Sequence, residues 1–179
     1  MLTPQDTCLV VIDIQEKLHK LMFNRDQVET NSAILIKVAH ALNIPILWCQ
    51  QVPAALGPTI QPLASLLTDQ SPFDKVTFSC WGDEAFAAKV EEIKPRTAIL
   101  CGIETHVCVF QTAMNLIEKG VDVHVIADAT SSRANENKQI ALHRMAKAGV
   151  TLSVTEMCLF ELLRTSKHEK FRELAKLIK

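Results

Sequence analysis

Cys108 occupies a position at which a thiol could be activated for nucleophilic chemistry. It lies in LCGIETHVCVF, residues 100–110, where an apolar run breaks at Gly102 and a helical pattern then begins. In the first turn of a helix that follows a strand, unpaired backbone N–H groups and the helix dipole favour the thiolate form of cysteine. The position therefore predicts either a reactive thiol or, alternatively, a small core residue that only packs.

Two charged residues stand at comparable points of other predicted strands. Asp13 interrupts the apolar run TCLVVIDI of residues 7–14, and Lys75 lies in FDKVTFS of residues 73–79. An unpaired charge in a buried strand is costly, so each charge needs a partner. A nucleophilic thiol needs a base to accept its proton and a cation to hold the charges in place. Together with Cys108 these residues could fill those roles, although singly Asp13 could cap a turn and Lys75 could lie at a solvated edge.

Familiar signatures of other chemistries are missing from the sequence. It contains no GxGxxG after the first predicted strand, no GxxxxGK[ST], no GxSxG and no HExxH. The six histidines show no ligand spacing, so neither a structural metal nor a cofactor is expected. The six cysteines form no CxxC pair, which favours reduced thiols, and Cys101 is expected to be inert inside its strand. A redox-responsive Cys108 is a further hypothesis, but no resolving cysteine can be predicted for it.

Length and composition favour one globular domain. The chain has 179 residues, of which 48% are hydrophobic, and a formal net charge of −1. This length suits a single domain over residues 1–179 with a substantial core. The mixed charges give no electrostatic reason to expect nucleic acid or a membrane surface as a partner. Apolar runs are far shorter than the roughly 20 residues of a membrane span, and no secretion signal opens the chain, so a cytoplasmic location is predicted.

Buried strands alternate with amphipathic helices along the chain. Six strands are predicted, at residues 7–14, 44–50, 73–79, 96–102, 121–128 and 150–156. Helices are predicted at 30–43, 83–94, 107–119 and 136–149, with one or two more in 159–179. This alternation is typical of an α/β fold, here a three-layer α/β/α, Rossmann-like domain with a six-stranded, mainly parallel sheet. Sites in such sheets form at the carboxyl ends of the strands, near Asp13, Lys75 and Cys108.

Four segments in order give the sequence a resemblance to a known family. They are VVIDIQ, FDKVTFSCW, LCGIETHVCVFQTA and VIADATSSR. These resemble the isochorismatase-like cysteine hydrolases, whose pattern around the nucleophile is G-x-x-T-x-x-C-V-x-x-T-A. The resemblance spans almost the whole chain, from Thr3 through FRELAKLIK. The segments ALGPT, GIETHVC and F-x-E-x-x-K-L-I-K look closest to the isochorismatase domain-containing proteins, whose substrates are poorly defined.

The resemblance implies a role for each of the candidate residues. Cys108 would be the nucleophile, Asp13 the general base and Lys75 the third member of a triad. The peptide bond between Ile103 and Glu104 would be cis, so that the backbone N–H groups of Glu104 and Cys108 form an oxyanion hole. The resemblance leaves the role of the Glu104 side chain undecided.

Two differences between this sequence and other members of the superfamily indicate which reaction to expect. Nicotinamidases of the superfamily carry an Asp/His metal site after the second strand, where this chain has WCQQVPAALG, residues 48–57, without a usable ligand set. Siderophore-type isochorismatases tend to lack the nucleophilic cysteine, which this chain keeps. Hydrolysis of a small-molecule amide through a thioester is therefore expected. The alternatives are isochorismatase-type vinyl-ether hydrolysis and a non-catalytic ligand-binding or scaffold protein of the same fold.

A substrate pocket is expected around the predicted strand ends. Its walls are predicted to come from Gln15, Phe23, Gln50, Leu56, Phe78, Trp81 and His106. Glutamine and aromatic walls suit a neutral amide, whereas a dianionic substrate would need a cation, for which Arg133 is the candidate. A homo-oligomer, a dimer or larger, is predicted from the short chain, its apolar tail and the frequent oligomerisation of the family that the sequence resembles.

Overall fold

One sheet runs through the centre of the computed structural model, which describes residues 1–178. Within those residues the strand order is β3-β2-β1-β4-β5-β6, and every neighbouring pair is parallel. The strands are β1 Thr7–Ile12, β2 Ile46–Gln51, β3 Phe73–Lys75, β4 Thr97–Ile103, β5 Asp122–Ser131 and β6 Thr151–Ser153. The predicted α/β fold is confirmed, with a sheet that is parallel throughout rather than mainly parallel.

Helices connect the strands and cover both faces of the sheet. The α-helices are α1 Glu16–His19, α2 Arg25–Ala41, α3 Pro53–Leu56, α4 Gln61–Ala64, α5 Glu84–Ile93, α6 Phe110–Glu118, α7 Asn135–Lys147, α8 Thr155–Leu163 and α9 Phe171–Leu174. Short 3₁₀ segments lie at Pro4–Asp6, Cys80–Gly82 and Ala175–Ile178, and a π-helical turn at Thr105–Val109. None of the helices in the described part of the chain is both long and apolar enough to cross a membrane.

The alternation of side chains along β1 explains the three layers. Leu9 and Val11 point to one face, where they join a buried cluster with residues of α2 and α8. Val10 and Ile12 point to the other face, where the cluster includes residues of α5, α6 and α7. Because successive side chains of a strand point to opposite faces, an uninterrupted apolar run is buried on both sides.

Some elements end where side-chain hydrogen bonds redirect the backbone. β3 stops at Lys75 rather than continuing to residue 79, because the ammonium group of Lys75 binds the carbonyl oxygens of Thr77 and Phe78 and folds the next segment back. β6 stops at residue 153, and α8 begins at Thr155, whose N–H and hydroxyl both donate to Asp128 Oδ1 at 2.8 Å. The contact between Thr155 and Asp128 links residues 27 positions apart, which is why a local pattern did not locate the end of β6.

Two strands come unusually close at Gly102, near the carboxyl end of β4. Gly102 lies opposite Ile12 of β1 and has φ +124°, a conformation that favours glycine. A Cβ atom added there would overlap the carbonyl oxygen of Ile12. The approach brings together the ends of β1 and β4, from which the chain continues into Asp13 and Glu104.

We expect Gly102→Ala to lower the free energy of unfolding by about 3–5 kcal/mol, because backbone atoms of two central strands would have to separate. Gly120→Ala is the matched control: it has φ +79° but nothing within 4 Å of the added Cβ, so we expect a loss of about 1–2 kcal/mol. Urea unfolding of both variants measures the difference. Equal losses would show that the positive φ, and not the strand contact, is the constraint.

Candidate active site

A buried ion pair joins two strands that are not neighbours in the sheet. Asp13 directly follows β1 and Lys75 ends β3, with β2 between them. The Lys75 Nζ donates to Asp13 Oδ2 at 2.7 Å, and both side chains have 0% solvent exposure. Asp13 is held in place by its N–H, which donates to the carbonyl oxygen of Cys49 on β2 at 3.1 Å. The structure thus brings together the two charges that the sequence left unpaired.

The Lys75 ammonium group is saturated with hydrogen-bond acceptors. Besides Asp13 it contacts Gln51 Oε1 at 2.7 Å and the carbonyl oxygens of Phe78 at 3.1 Å and Thr77 at 3.3 Å. Burial by itself would lower the pKa of Lys75, but the negative charge of Asp13 and the neighbouring thiols raise it above its ordinary value. With three hydrogens and four oxygen acceptors, Lys75 is a fixed cation and has no proton available for transfer.

The second carboxylate oxygen of Asp13 is differently placed. Among residues 1–178, Oδ1 is buried without a hydrogen-bond partner. Burial raises the pKa of the Asp13 carboxyl, while the charge of Lys75 and interactions with Lys75 and the Cys108 thiol act in the opposite direction. A carboxyl with a raised pKa and one unpartnered oxygen is suited to accept a proton from the adjacent thiol.

Cys108 lies in the π-helical turn Thr105–Val109, one turn before α6 rather than inside it. The residue is 6% exposed, and burial, followed by the charge of Asp13, raises the pKa of its thiol well above the ordinary value. This direction is opposite to the one expected from the helix start, because burial and the charge of Asp13 act against the thiolate that the helix dipole would favour.

Hydrogen bonds from β5 support the turn that precedes Cys108. The peptide bond between Ile103 and Glu104 is cis. Thr130 of β5 lies 2.9 Å from the Thr105 hydroxyl, and its own hydroxyl donates to the carbonyl oxygen of Gly102 at 2.8 Å. β5 reaches this turn because its register with β4 shifts between Leu100 and Gly102, which lengthens β5 beyond the predicted residue 128.

The Glu104 side chain is buried and forms an ion pair with Arg133. It is 8% exposed, and its carboxylate accepts from the backbone N–H of Arg133 at 2.9 Å and from the Arg133 Nε at 3.2 Å. His106 makes a parallel contact, with 2.9 Å between its Nδ1 and the Ser132 hydroxyl oxygen. The turn carrying Cys108 is thereby attached to the loop between β5 and α7.

Both glutamines predicted to line the pocket are engaged by the protein itself. Gln15 is fully buried, and its amide group bonds the N–H and C=O of Gln51 at 2.8 and 3.0 Å. Gln50 donates to Asp74 Oδ1 at 3.0 Å and accepts from the N–H and hydroxyl of Thr59 at 2.7 and 3.0 Å. The amide groups of both side chains therefore connect the strand ends to the neighbouring loops.

The other predicted wall residues divide between two places. Phe23 and Phe78 are 41% and 55% exposed at the strand ends, and Leu56 is half-buried at the end of α3. Trp81 instead lines a surface groove together with Val90, Lys94 and Lys119, and its ring centroid lies 5.1 Å from the Lys119 Nζ. The 3₁₀ segment Cys80–Gly82 turns Trp81 towards α5 and α6, which a sequence pattern does not reveal.

Gln51 contacts Lys75 but was not among the predicted site residues. Its signal in the sequence is a polar residue at the end of a buried strand, a property that it shares with Gln50. Only the pairing of Gln51 with Lys75 across β2 and β3 distinguishes the two. Within the described residues, no group of three or more His, Cys, Asp or Glu side chains is arranged to hold a metal ion.

Comparisons with known proteins identify the family and the fold of the chain. The family model described as Isochorismatase domain matches residues 7–157. The isochorismatase domain-containing protein 2 of Danio rerio is 36% identical over 177 residues, covering 99% of this chain and 89% of that protein. The structure described as MAR1 ribonuclease from Caenorhabditis elegans has a TM-score of 0.93 at 37% identity, covering 99% of this chain and 91% of that one. The YcaC gene product of Escherichia coli, described as an octameric hydrolase of unknown specificity, has a TM-score of 0.93 at 26% identity and covers 99% and 88%.

We expect Lys75→Met to lower the free energy of unfolding by about 3–5 kcal/mol at neutral pH, because it leaves the Asp13 carboxylate buried and unpaired. A carboxyl whose pKa is higher in the folded than in the unfolded protein contributes stability at low pH that is lost as the pH rises. The deficit of the variant should therefore shrink between pH 8 and pH 5. Denaturant unfolding at several pH values measures it.

Lys89→Met is the control for this experiment, because Lys89 forms an exposed pair with Glu92 at 2.8 Å. We expect its loss to stay within about 0.5 kcal/mol. The double variant Asp13→Asn with Lys75→Met should recover part of the stability. A Lys75→Met loss no larger than that of Lys89→Met would contradict the buried pair.

Iodoacetamide should modify Cys108 before the other five cysteines, all of which have 0% exposure. Because the pKa of its thiol is raised, its rate at pH 7 should lie below that of a free cysteine and rise about tenfold per pH unit up to pH 10. Mass spectrometry of proteolytic peptides identifies the modified residue. A rate independent of pH over this range would indicate a resting thiolate.

Proposed function

Because the chain belongs to the isochorismatase domain family, we propose that it is a single-domain hydrolase that cleaves the C–N bond of a small-molecule amide through Cys108. The observation that carries the proposal is that the two carboxylate oxygens of Asp13 differ in their contacts. One carboxylate oxygen is bound to the saturated Lys75 ammonium group, the other lacks a hydrogen-bond partner among residues 1–178, and the carboxyl interacts with the Cys108 thiol. This arrangement provides a nucleophile, a base and a fixed cation in one buried cluster.

In the first half of the reaction, the thiol of Cys108 attacks the carbonyl carbon of the amide. Asp13 Oδ1 accepts the thiol proton as the sulfur–carbon bond forms, and the carbonyl electrons move to oxygen. The backbone N–H groups of Glu104 and Cys108 stabilise the resulting oxyanion. Asp13 then donates the proton to the leaving nitrogen, the C–N bond breaks and a thioester on Cys108 remains.

In the second half, water attacks the thioester. Asp13 accepts one proton of the water, and the carbon–sulfur bond of the second tetrahedral intermediate breaks. The carboxylic acid leaves and the Cys108 sulfur regains a proton from Asp13. A raised pKa of the Cys108 thiol is compatible with this cycle, because the proton moves only while the bond to carbon is forming.

Lys75 acts through charge and position in this proposal. Its hydrogens are engaged by four oxygens, so it stabilises the Asp13 carboxylate without exchanging protons with the substrate. A buried ion pair adds little net stability to a fold, because the cost of desolvating the two charges offsets their attraction. A scaffold protein of the same fold would therefore have no structural need for such a pair next to a thiol. This favours the catalytic hypothesis over the non-catalytic one.

The surroundings of the site favour a small substrate with an apolar portion. Phe23 and Phe78 present exposed rings at the strand ends, and the glutamines that could read polar groups are engaged elsewhere. Arg133 is the cation at this edge: its side chain is 63% exposed, and Glu104 fixes only its backbone N–H and its Nε. We propose a neutral amide as the substrate, and an anionic amide is the second substrate class to be screened.

We propose that the chain acts in the cytoplasm without a resident cofactor and without a nucleic-acid or membrane partner, and that it assembles as a homo-oligomer. All six cysteines are free, which suits a reducing compartment. The neighbour from E. coli is described as octameric, which supports association of this chain as a dimer or larger. The neighbour from C. elegans is described as a ribonuclease, so an RNA substrate belongs in the screen as a test of the amide hypothesis.

We expect Cys108→Ala to abolish amide hydrolysis, by a factor of at least about 10³, while the fold stays intact, because the variant loses the atom that forms the acyl-enzyme. A panel of small neutral and anionic amides, a vinyl ether such as isochorismate and an RNA oligonucleotide are assayed side by side. Mass spectrometry of the quenched wild-type protein should detect the acyl group on Cys108.

Cys101→Ala is the control, because Cys101 is buried in β4 and its Sγ contacts the carbonyl oxygen of Val10 at 3.8 Å, on the strand rather than at its end. This variant should lose stability and keep turnover. Amide hydrolysis that persists in Cys108→Ala would overturn the covalent mechanism, and turnover of RNA or the vinyl ether alone would replace the amide with that substrate.

A further inference from the structure

Gln51 makes a contact with Lys75 as short as the ion pair itself. Gln51 ends β2 and is paired with Lys75 in the register of β2 and β3. Its Oε1 accepts from the Lys75 Nζ at 2.7 Å, equal to the distance from Nζ to Asp13 Oδ2. Its Nε2 donates to the carbonyl oxygen of Val76 at 2.8 Å. Because one end of the amide must donate and the other accept, these two contacts determine its orientation.

The main chain of Gln51 is fixed as well. Its N–H donates to Gln15 Oε1 at 2.8 Å, and its carbonyl oxygen accepts from Gln15 Nε2 at 3.0 Å. The same Gln15 nitrogen donates to the carbonyl oxygen of Gly57 at 2.7 Å. Both glutamines are buried, so the chain of contacts from Gln15 through Gln51 to Lys75 leaves the side chain of Gln51 little freedom.

We propose that Gln51 is a positioning residue that holds the Lys75 ammonium group against Asp13 Oδ2 and thereby keeps Asp13 Oδ1 open for the proton of Cys108. The inference rests on the proposed role of Asp13 as the base. Gln51 acts through Lys75 and has no contact with the reacting atoms. Its effect can therefore be measured as the rate of alkylation of the Cys108 thiol, without turnover of a substrate.

The argument follows from the hydrogens of the ammonium group. One is directed to Asp13 Oδ2, one to Gln51, and the third lies between the carbonyl oxygens of Phe78 and Thr77 at 3.1 and 3.3 Å. Without Gln51, the hydrogen that it binds needs another acceptor. Asp13 Oδ1, on the carboxylate that Lys75 already binds, is a buried oxygen without a partner among the described residues. An ammonium group turned towards Oδ1 would compete with the thiol for that oxygen.

The other titratable groups that face this cluster do not substitute for Lys75. They are the thiols of Cys49 on β2 and Cys80 in the 3₁₀ segment after β3. Burial, and then the interaction with Cys80, raises the pKa of Cys49 well above its ordinary value, and a thiol supplies no positive charge in either protonation state. Lys75 is thus the cation on which formation of the Cys108 thiolate depends, and its placement depends on Gln51.

Alkylation of Cys108 by iodoacetamide between pH 7 and pH 10 tests this inference on the full chain. Gln51→Met removes the acceptor without adding charge, and we expect a rate about three- to tenfold below wild type at each pH. Gln51→Glu keeps an oxygen but adds a negative charge near the thiol, and we expect a rate about tenfold lower, equivalent to one pKa unit. Asp74→Asn is the matched control, because Asp74 adjoins Lys75 in sequence but is exposed and contacts Gln50 instead. Its rate should stay within about twofold of wild type.

Circular dichroism and thermal unfolding establish that the variants are folded. Wild-type alkylation rates in both folded Gln51 variants would overturn the inference, and so would loss of folding in both, since a residue that only positions Lys75 leaves the fold intact. Alkylation does not require turnover. Slow alkylation in the variants, with no amide hydrolysed by the wild type, would therefore support Gln51 and overturn the proposed function, whereas unchanged alkylation with amide hydrolysis would do the reverse.

Discussion

The ion pair between Asp13 and Lys75 is the interaction on which the rest of the site depends. Two opposite charges without solvent contact are stable only where further hydrogen bonds satisfy them. The order of the sheet meets that requirement, because β2 separates β1 from β3 and presents Gln51 along the path of the Lys75 side chain. The short β3 and the loop that folds back from it provide the remaining acceptors. The cluster around the ion pair therefore depends on the order of the strands in the sheet.

The fold and the three central residues could be predicted because their signals are local. A continuous apolar run such as residues 7–12 indicates a strand buried on both faces, and a charge at its end indicates either a partner or a site. Parallel strands place their carboxyl ends at one edge, so Asp13, Lys75 and Cys108 could be expected there together. The positions of these three residues along the sequence are enough for this step, and their contacts need not be known.

The rest could not be predicted because it depends on register and on long-range contacts. Gln50 and Gln51 are equivalent in the sequence, and only the pairing of β2 with β3 directs one of them towards Lys75. The Glu104 carboxylate is buried against Arg133, 29 residues away, through a turn that no periodicity describes. The pKa of the Cys108 thiol is raised, opposite to the direction expected from its helix-start position, because of burial and the charge of Asp13, neither of which is visible in the sequence.

The unpartnered oxygen of Asp13 has a consequence for the order of events in the proposed cycle. Since Oδ2 is bound to Lys75, every proton in the proposed cycle would pass through Oδ1. The departing amine and the incoming water must therefore occupy the same place in succession. An acyl group on Cys108 is then open to whichever nucleophile enters that place next. In the proposed cycle Cys108 would therefore transfer its acyl group to that nucleophile, and hydrolysis would be the outcome when water arrives before another amine.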